Sequence, residues 1–172
     1  MTEQIAHWFM ELFPESVGPG IVSFLTSMLP ILECRGGMIV AKAFEALGYD
    51  FPLSHAFIIC YVGNMIPVPF ILLFIRKIFE FMKKHGILTK FIEFLEGKTA
   101  RNQEKVMRYK QWGLLLFVAL PLPGTGAWTG SLFAALLDID FKKALPIIAL
   151  GVFIADIIMA ILTYGAGAVF HF

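Results

Sequence analysis

The chain has 172 residues, of which 58% are hydrophobic and 16% charged, against about 45–50% and 25% in an ordinary soluble domain. Its formal net charge is +1, and ten of its fourteen Lys and Arg, with four Glu, fall between Arg76 and Lys110, so that two apolar blocks flank one basic linker. That pattern excludes a nucleic-acid binder, which needs a basic face on a folded soluble surface, and implies an integral membrane protein.

Residues 1–13 carry Ile5, Trp8, Phe9 and Leu12 at helical spacing and end at Pro14, which predicts a short interfacial helix. They contain Glu3 and Glu11 but no Lys or Arg, so no cleavable signal peptide is expected. From Val17 to Leu47 the chain is apolar but interrupted by Pro30 and by Glu33-Cys34-Arg35-Gly36-Gly37. As helices the two halves would be roughly 20 and 25 Å long, short of the roughly 30 Å hydrocarbon core. A hairpin over 17–47 is therefore expected to be re-entrant, its break buried in protein or lining a polar cavity.

Ser54 to Ile75 is long enough to cross, with Asn64, Pro67 and Pro69 in its second half as helix-packing and kink residues. Residues 76–110 have an apolar stripe with basic residues on the other faces and should lie along a membrane surface. The plan then repeats. Residues 112–137 form a second pair of short apolar halves about Pro121-Leu122-Pro123-Gly124-Thr125-Gly126, and 141–164 can cross, with Asp156 near its middle. The Leu-Gly-Tyr-Asp-Phe run at 47–51 corresponds to Leu-Asp-Ile-Asp-Phe at 137–141.

The expected fold is thus an all-α integral membrane protein built as one membrane domain. Repeat 1 covers 17–75 and repeat 2 covers 111–164, each a re-entrant hairpin plus a transmembrane helix. An odd number of crossings per half makes the repeat inverted. Under the positive-inside rule the linker is cytoplasmic and both termini lie outside, an orientation that Lys142 and Lys143, on the cytoplasmic side of the second crossing, support.

Three stretches carry a family resemblance: the run from Pro121 to Gly130, Pro-Leu-Pro-Gly-Thr-Gly-Ala-Trp-Thr-Gly; the run Leu29-Pro30-Ile31-Leu32-Glu33-Cys34-Arg35-Gly36; and Gly63-Asn64-Met65-Ile66-Pro67-Val68-Pro69. Together they resemble the prokaryotic small multidrug export family, over about Pro30 to Ile161. Gly37-Met38 departs from the Ala-Ile-Pro usual there, so the second proline of that hairpin is missing. The resemblance implies paired re-entrant hairpins, a prokaryotic inner-membrane location and export. It extends distantly to the DedA superfamily, whose members move lipids, polyprenyl phosphates among them.

Charged groups at membrane depth are expensive and are site candidates by default. Arg35 suits an anionic group of a substrate and Glu33 a proton-coupling or positioning role; a structural ion pair is the bland alternative. Gly36 adjoins them. Gly124, Thr125 and Gly126 open the second arm of the second hairpin, where backbone N–H groups and the helix dipole favour an anion or a headgroup, with Trp128 and Thr129 beside them. The alternative is a tight turn, with Pro121 and Pro123 bending the chain. Asp156 lies too deep to snorkel, which calls for a protonated carboxyl or a pairing with Arg35 and suggests a proton relay. Cys34 and Cys60 lie within apolar segments, where thiols pack as small apolar groups.

His7, His55, His85 and His171 have no ligand spacing, and HExxH, paired CxxC, P-loop and Gly-x-Ser-x-Gly motifs do not occur, so neither an enzyme nor a metal or cofactor is expected. The function these residues suggest is ion-coupled secondary transport of a small amphiphilic or anionic substrate. A lipid translocase and a non-transporting scaffold are the alternatives. Membrane lipids and a second copy of the chain are the expected partners.

Overall fold

The computed structural model describes residues 17–84, 103–122, 124–137 and 139–165. The interfacial helix expected over 1–13, the middle of the basic linker and Pro123 lie outside the described residues. Every described element is an α-helix: α1 (Gly18–Met28), α2 (Glu33–Ala46), α3 (Leu53–Met65), α4 (Pro67–Lys84), α5 (Gln103–Ala119), α6 (Ala127–Leu136) and α7 (Phe141–Tyr164).

Local chemistry sets most boundaries. Pro19 sits in the first turn of α1, where its missing N–H would have no helical partner anyway. Leu29 is extended, at ψ 135°, because a residue before proline is pushed out of the α region. The Leu29–Leu32 turn follows and α2 starts at Glu33, so both arms of the first hairpin are short, as expected.

Among the described residues, two stretches are long and apolar enough to cross a membrane, Leu53–Ile75 and Phe141–Tyr164. The first is divided into α3 and α4 at Ile66, whose backbone stays helical at φ −56° and ψ −47° and whose N–H still reaches the Val62 carbonyl, whereas Pro67 has no N–H to continue the ladder.

Elsewhere the helices outrun the expectation. α4 continues through Arg76 and Lys77 to Lys84, and α5 begins at Gln103 instead of Trp112. The reason is periodicity: the apolar stripe assigned to the linker is itself helical, so the apolar helices on either side extend into it without a stop signal. α7 also absorbs Pro146, a proline the sequence reading did not use.

The chain packs as two compact units. The first comprises residues 1–66 with 152–172, the second 67–151. In the first, α1, α2 and α3 pack on one another. Their core is Cys34, Met38, Ala41, Ala56 and Cys60, closed by Ala155, Met159 and Ala160 of α7.

These are small or flexible side chains, and close approach of helix backbones is what drives association where lipid is as apolar as leucine. Gly37 is pressed against Ser27 and Cys60, and Gly63 against the Phe24 carbonyl. The buried Ser27 hydroxyl donates to the Ser23 carbonyl at 2.8 Å, which satisfies it within its own helix.

In the second unit α6 packs on α4 and α5. Gly130 of α6 and Gly151 of α7 both press on Val118 of α5. Phe117 and Phe133 stack at 5.1 Å, and the Lys110 ammonium donates to the Leu137 carbonyl at 3.1 Å, one of the orphan carbonyls at the end of α6.

Candidate functional site

The break in the first hairpin delivers the charged pair. Glu33, the first residue of α2, has φ 51°, a left-handed conformation that costs a residue with a side chain about 1–2 kcal/mol. Its carboxylate is buried, with Oε2 3.9 Å from Nη2 of Arg35, whose side chain is 14% exposed. That separation is an ion pair without a good hydrogen bond.

Register shows what lies beside them. Gly37 of α2 faces Cys60 of α3, and the short connection makes these helices antiparallel, so Glu33 is level with Asn64. Between α2 and α7 two contacts fix the alignment. The Cys34 thiol interacts with the Asp156 carboxyl, and the Lys42 ammonium sits 4.8 Å from the centre of the Tyr164 ring. Both pairs are eight residues apart on each helix, so α2 and α7 run parallel and Asp156 joins the same level.

The first unit thus contains one buried polar layer of Glu33, Cys34, Asn64 and Asp156, with Arg35 at its edge. Asn64 and Asp156 are 1% and 0% exposed; the Asn64 amide makes no hydrogen bond within the described residues, and the Asp156 carboxyl meets the Cys34 thiol. Buried polar groups are almost always paired, and exceptions cluster at functional sites.

Of the two settings expected for Asp156, a protonated carboxyl or a pairing with Arg35, the second is not met, because Arg35 pairs with Glu33, which lies nearer along the same helix. Gly36 is a packing residue, since a Cβ there would lie 2.6 Å from the Leu32 Cβ and 3.2 Å from Thr26 Cγ2.

Cys34 is the residue that sequence reasoning undervalued. An apolar neighbourhood makes a thiol look like filler, and its partner Asp156 lies on a helix that no local spacing connects to it.

The other predicted residues form a group in the second unit. Thr125 ties the break: its hydroxyl lies 2.7 Å from the Leu120 carbonyl and 2.8 Å from that of Leu122, and accepts from the Leu122 N–H at 3.3 Å. Gly124 and Gly126 have φ of 82° and 131°, values at which a side chain would be strained. Trp128 and Thr129 lie half-buried in the first turn of α6, and the Thr129 hydroxyl has no hydrogen-bond partner. The Thr125 hydroxyl is engaged inside the turn, whereas that of Thr129 is buried without a partner among the described residues. Pro67 opens α4, and Pro69 follows in its first turn.

Among the described residues, two stretches are long and apolar enough to cross a membrane, and the first unit gathers buried polar groups between its helices. Residues 33–158 match the family described as putative small multi-drug export protein. The chain belongs to that family. The match begins at Glu33 and ends just beyond Asp156, enclosing the polar layer and the Pro121–Gly130 run. No curated protein and no solved structure matches the chain.

Proposed function

We propose that this member of the export family is a secondary transporter in the prokaryotic cell membrane. It moves a small amphiphilic or anionic substrate and is coupled to protons through Asp156 and Glu33. The observation that carries this reading is Asp156 itself, fully buried in an apolar helix, beside the Cys34 thiol and level with Glu33 and Asn64. A carboxyl at membrane depth that can take up and release a proton is the usual coupling element of such proteins.

An inverted repeat of re-entrant hairpins gives the layer its setting. Support comes from a packing scheme present in both units. In the first, Gly37 of the hairpin's second arm and Gly63 of a long apolar helix press on the first arm, α1. In the second, Gly130 and Gly151 press in the same way on α5. Both termini lie outside under this reading, and the linker is cytoplasmic.

The test is transport by the purified chain in liposomes under an imposed pH gradient, with cationic dyes, polyprenyl phosphate and phospholipid offered in parallel. Asp156→Asn should abolish gradient-driven movement while leaving thermal stability near that of the parent. Movement of phospholipid or polyprenyl phosphate without a gradient identifies a lipid translocase. Failure with every substrate identifies a scaffold.

A further inference from the structure

The first unit has a second feature, remote in register from the polar layer. A cavity of about 940 Å³ opens beside the start of α1, the turn between α2 and α3, and the first turns of α3, a volume within the range of drug-sized sites. Three of its walls are aromatic, Phe24, Tyr49 and Phe51, and its charged side chain is Asp50. His55 is the other titratable lining group with a nitrogen, and no Lys or Arg among the described residues lines it.

The turn places these groups. Gly48, at φ 91°, lets the chain leave α2. The Tyr49 N–H then returns to the Phe44 carbonyl at 3.1 Å, and its ring meets Phe44 edge-on at 5.7 Å. The Phe51 N–H bonds the Tyr49 carbonyl at 2.9 Å, which makes Asp50 the apex of a three-residue turn. Phe51 is buried beneath and Asp50 is exposed at the rim. The exposed Asp50 carboxylate thus stands at the rim of a cavity whose lining is otherwise mostly aromatic and aliphatic.

We infer that this cavity is a binding site for a lipophilic cation, with Asp50 as counter-charge and Phe24, Tyr49 and Phe51 as the faces on which it lies. Aromatic faces attract cations through their quadrupole, and a carboxylate at the rim gives the charge preference. Occupancy is independent of proton coupling, since Asp50 and Asp156 belong to different sites.

The experiment compares tetraphenylphosphonium with tetraphenylborate, ions of the same shape and opposite charge. Binding to the full chain in lipid nanodiscs is measured without a gradient, after subtraction of uptake by empty nanodiscs. The parent should prefer the phosphonium. Asp50→Asn should weaken phosphonium binding about five-fold, the effect of losing one solvent-exposed ion pair, and should leave or strengthen borate binding.

Asp50→Glu should restore the preference, and Asp140→Asn, a loop acid outside the cavity, should not alter it. Repeating the pair in a His55→Gln chain removes any imidazole charge from the comparison. Equal binding of the two ions, or an Asp50→Asn chain indistinguishable from the parent, would overturn the inference and leave an apolar groove for acyl chains.

Discussion

Gly37→Ala tests the packing on which the polar layer rests. A Cβ at that position would overlap the Ser27 hydroxyl and would lie 2.7 Å from the Cys60 sulfur and 3.0 Å from the Ser23 carbonyl oxygen. Ser27 could rotate away only by giving up its hydrogen bond to Ser23, worth about 1 kcal/mol. The Ser23 carbonyl is backbone and moves only with α1. Overpacking of this kind costs about 1–3 kcal/mol, and replacing glycine by alanine inside a helix returns about 1 kcal/mol. The net expectation is a loss of about 1–3 kcal/mol, read as a lowered midpoint in thermal or detergent-induced unfolding of the solubilised chain.

Gly113→Ala is the matched control, because nothing lies within 4 Å of a Cβ there and only the helix-propensity gain remains. It should raise the midpoint. Adding Ser27→Ala to Gly37→Ala removes the overlapping oxygen and should recover about 1 kcal/mol beyond additivity. If Gly37→Ala is as stable as the parent, or moves in the same direction as Gly113→Ala, α1 and α2 are not held at contact distance and the register argument loses its base.

Thr125→Val keeps the shape but removes the hydroxyl that ties Leu120 and Leu122, so it should lower stability by about 1–2 kcal/mol, whereas Thr125→Ser should stay near the parent in the same unfolding assay. For sidedness, cysteines introduced at Ser16 and after Ala168 should react with an impermeant maleimide in intact cells, and one at Gly97 should not. Cys34 and Cys60 are buried and give little background. Labelling at Gly97 from outside would invert the proposed orientation.

Much of the secondary structure was legible because its signals are local. Proline at 30 ends α1, the Pro-Gly-Thr-Gly run separates α5 from α6, and uninterrupted apolar composition marks Leu53–Ile75 and Phe141–Tyr164. Where the signal was amphipathic, boundaries slipped: a helix with charges on one face gives no composition change at Arg76 or before Trp112, so α4 and α5 run further than polarity suggests. The candidate residues were recognised by the same rule that makes them costly, charge in an apolar stretch, which finds Glu33, Arg35 and Asp156 one at a time. Their grouping was out of reach. It depends on α2 lying parallel to α7, a pairing across more than a hundred residues, and on Cys34, a residue with no charge to announce it.

The same register gives the layer a depth. Lys42 over the Tyr164 ring is the combination expected at a membrane interface, where amphipathic rings and snorkelling ammonium groups settle. Cys34 and Asp156 lie eight residues from that pair, which is about 12 Å along a helix, close to half of a hydrocarbon core about 30 Å thick. The hairpin break would then fall near the midplane, where irregular backbone is tolerated only if its polar groups are satisfied or line a cavity. Pro30 removes one N–H from the turn, the Leu29 N–H bonds the Thr26 carbonyl, and the Glu33 N–H returns to that of Leu29 at 2.9 Å. Ile31, 90% exposed, still carries an N–H and a C=O that would need a partner at such a depth. The turn brings Glu33 and Arg35 to the level of Asp156, and the left-handed conformation of Glu33 is the local cost of that placement.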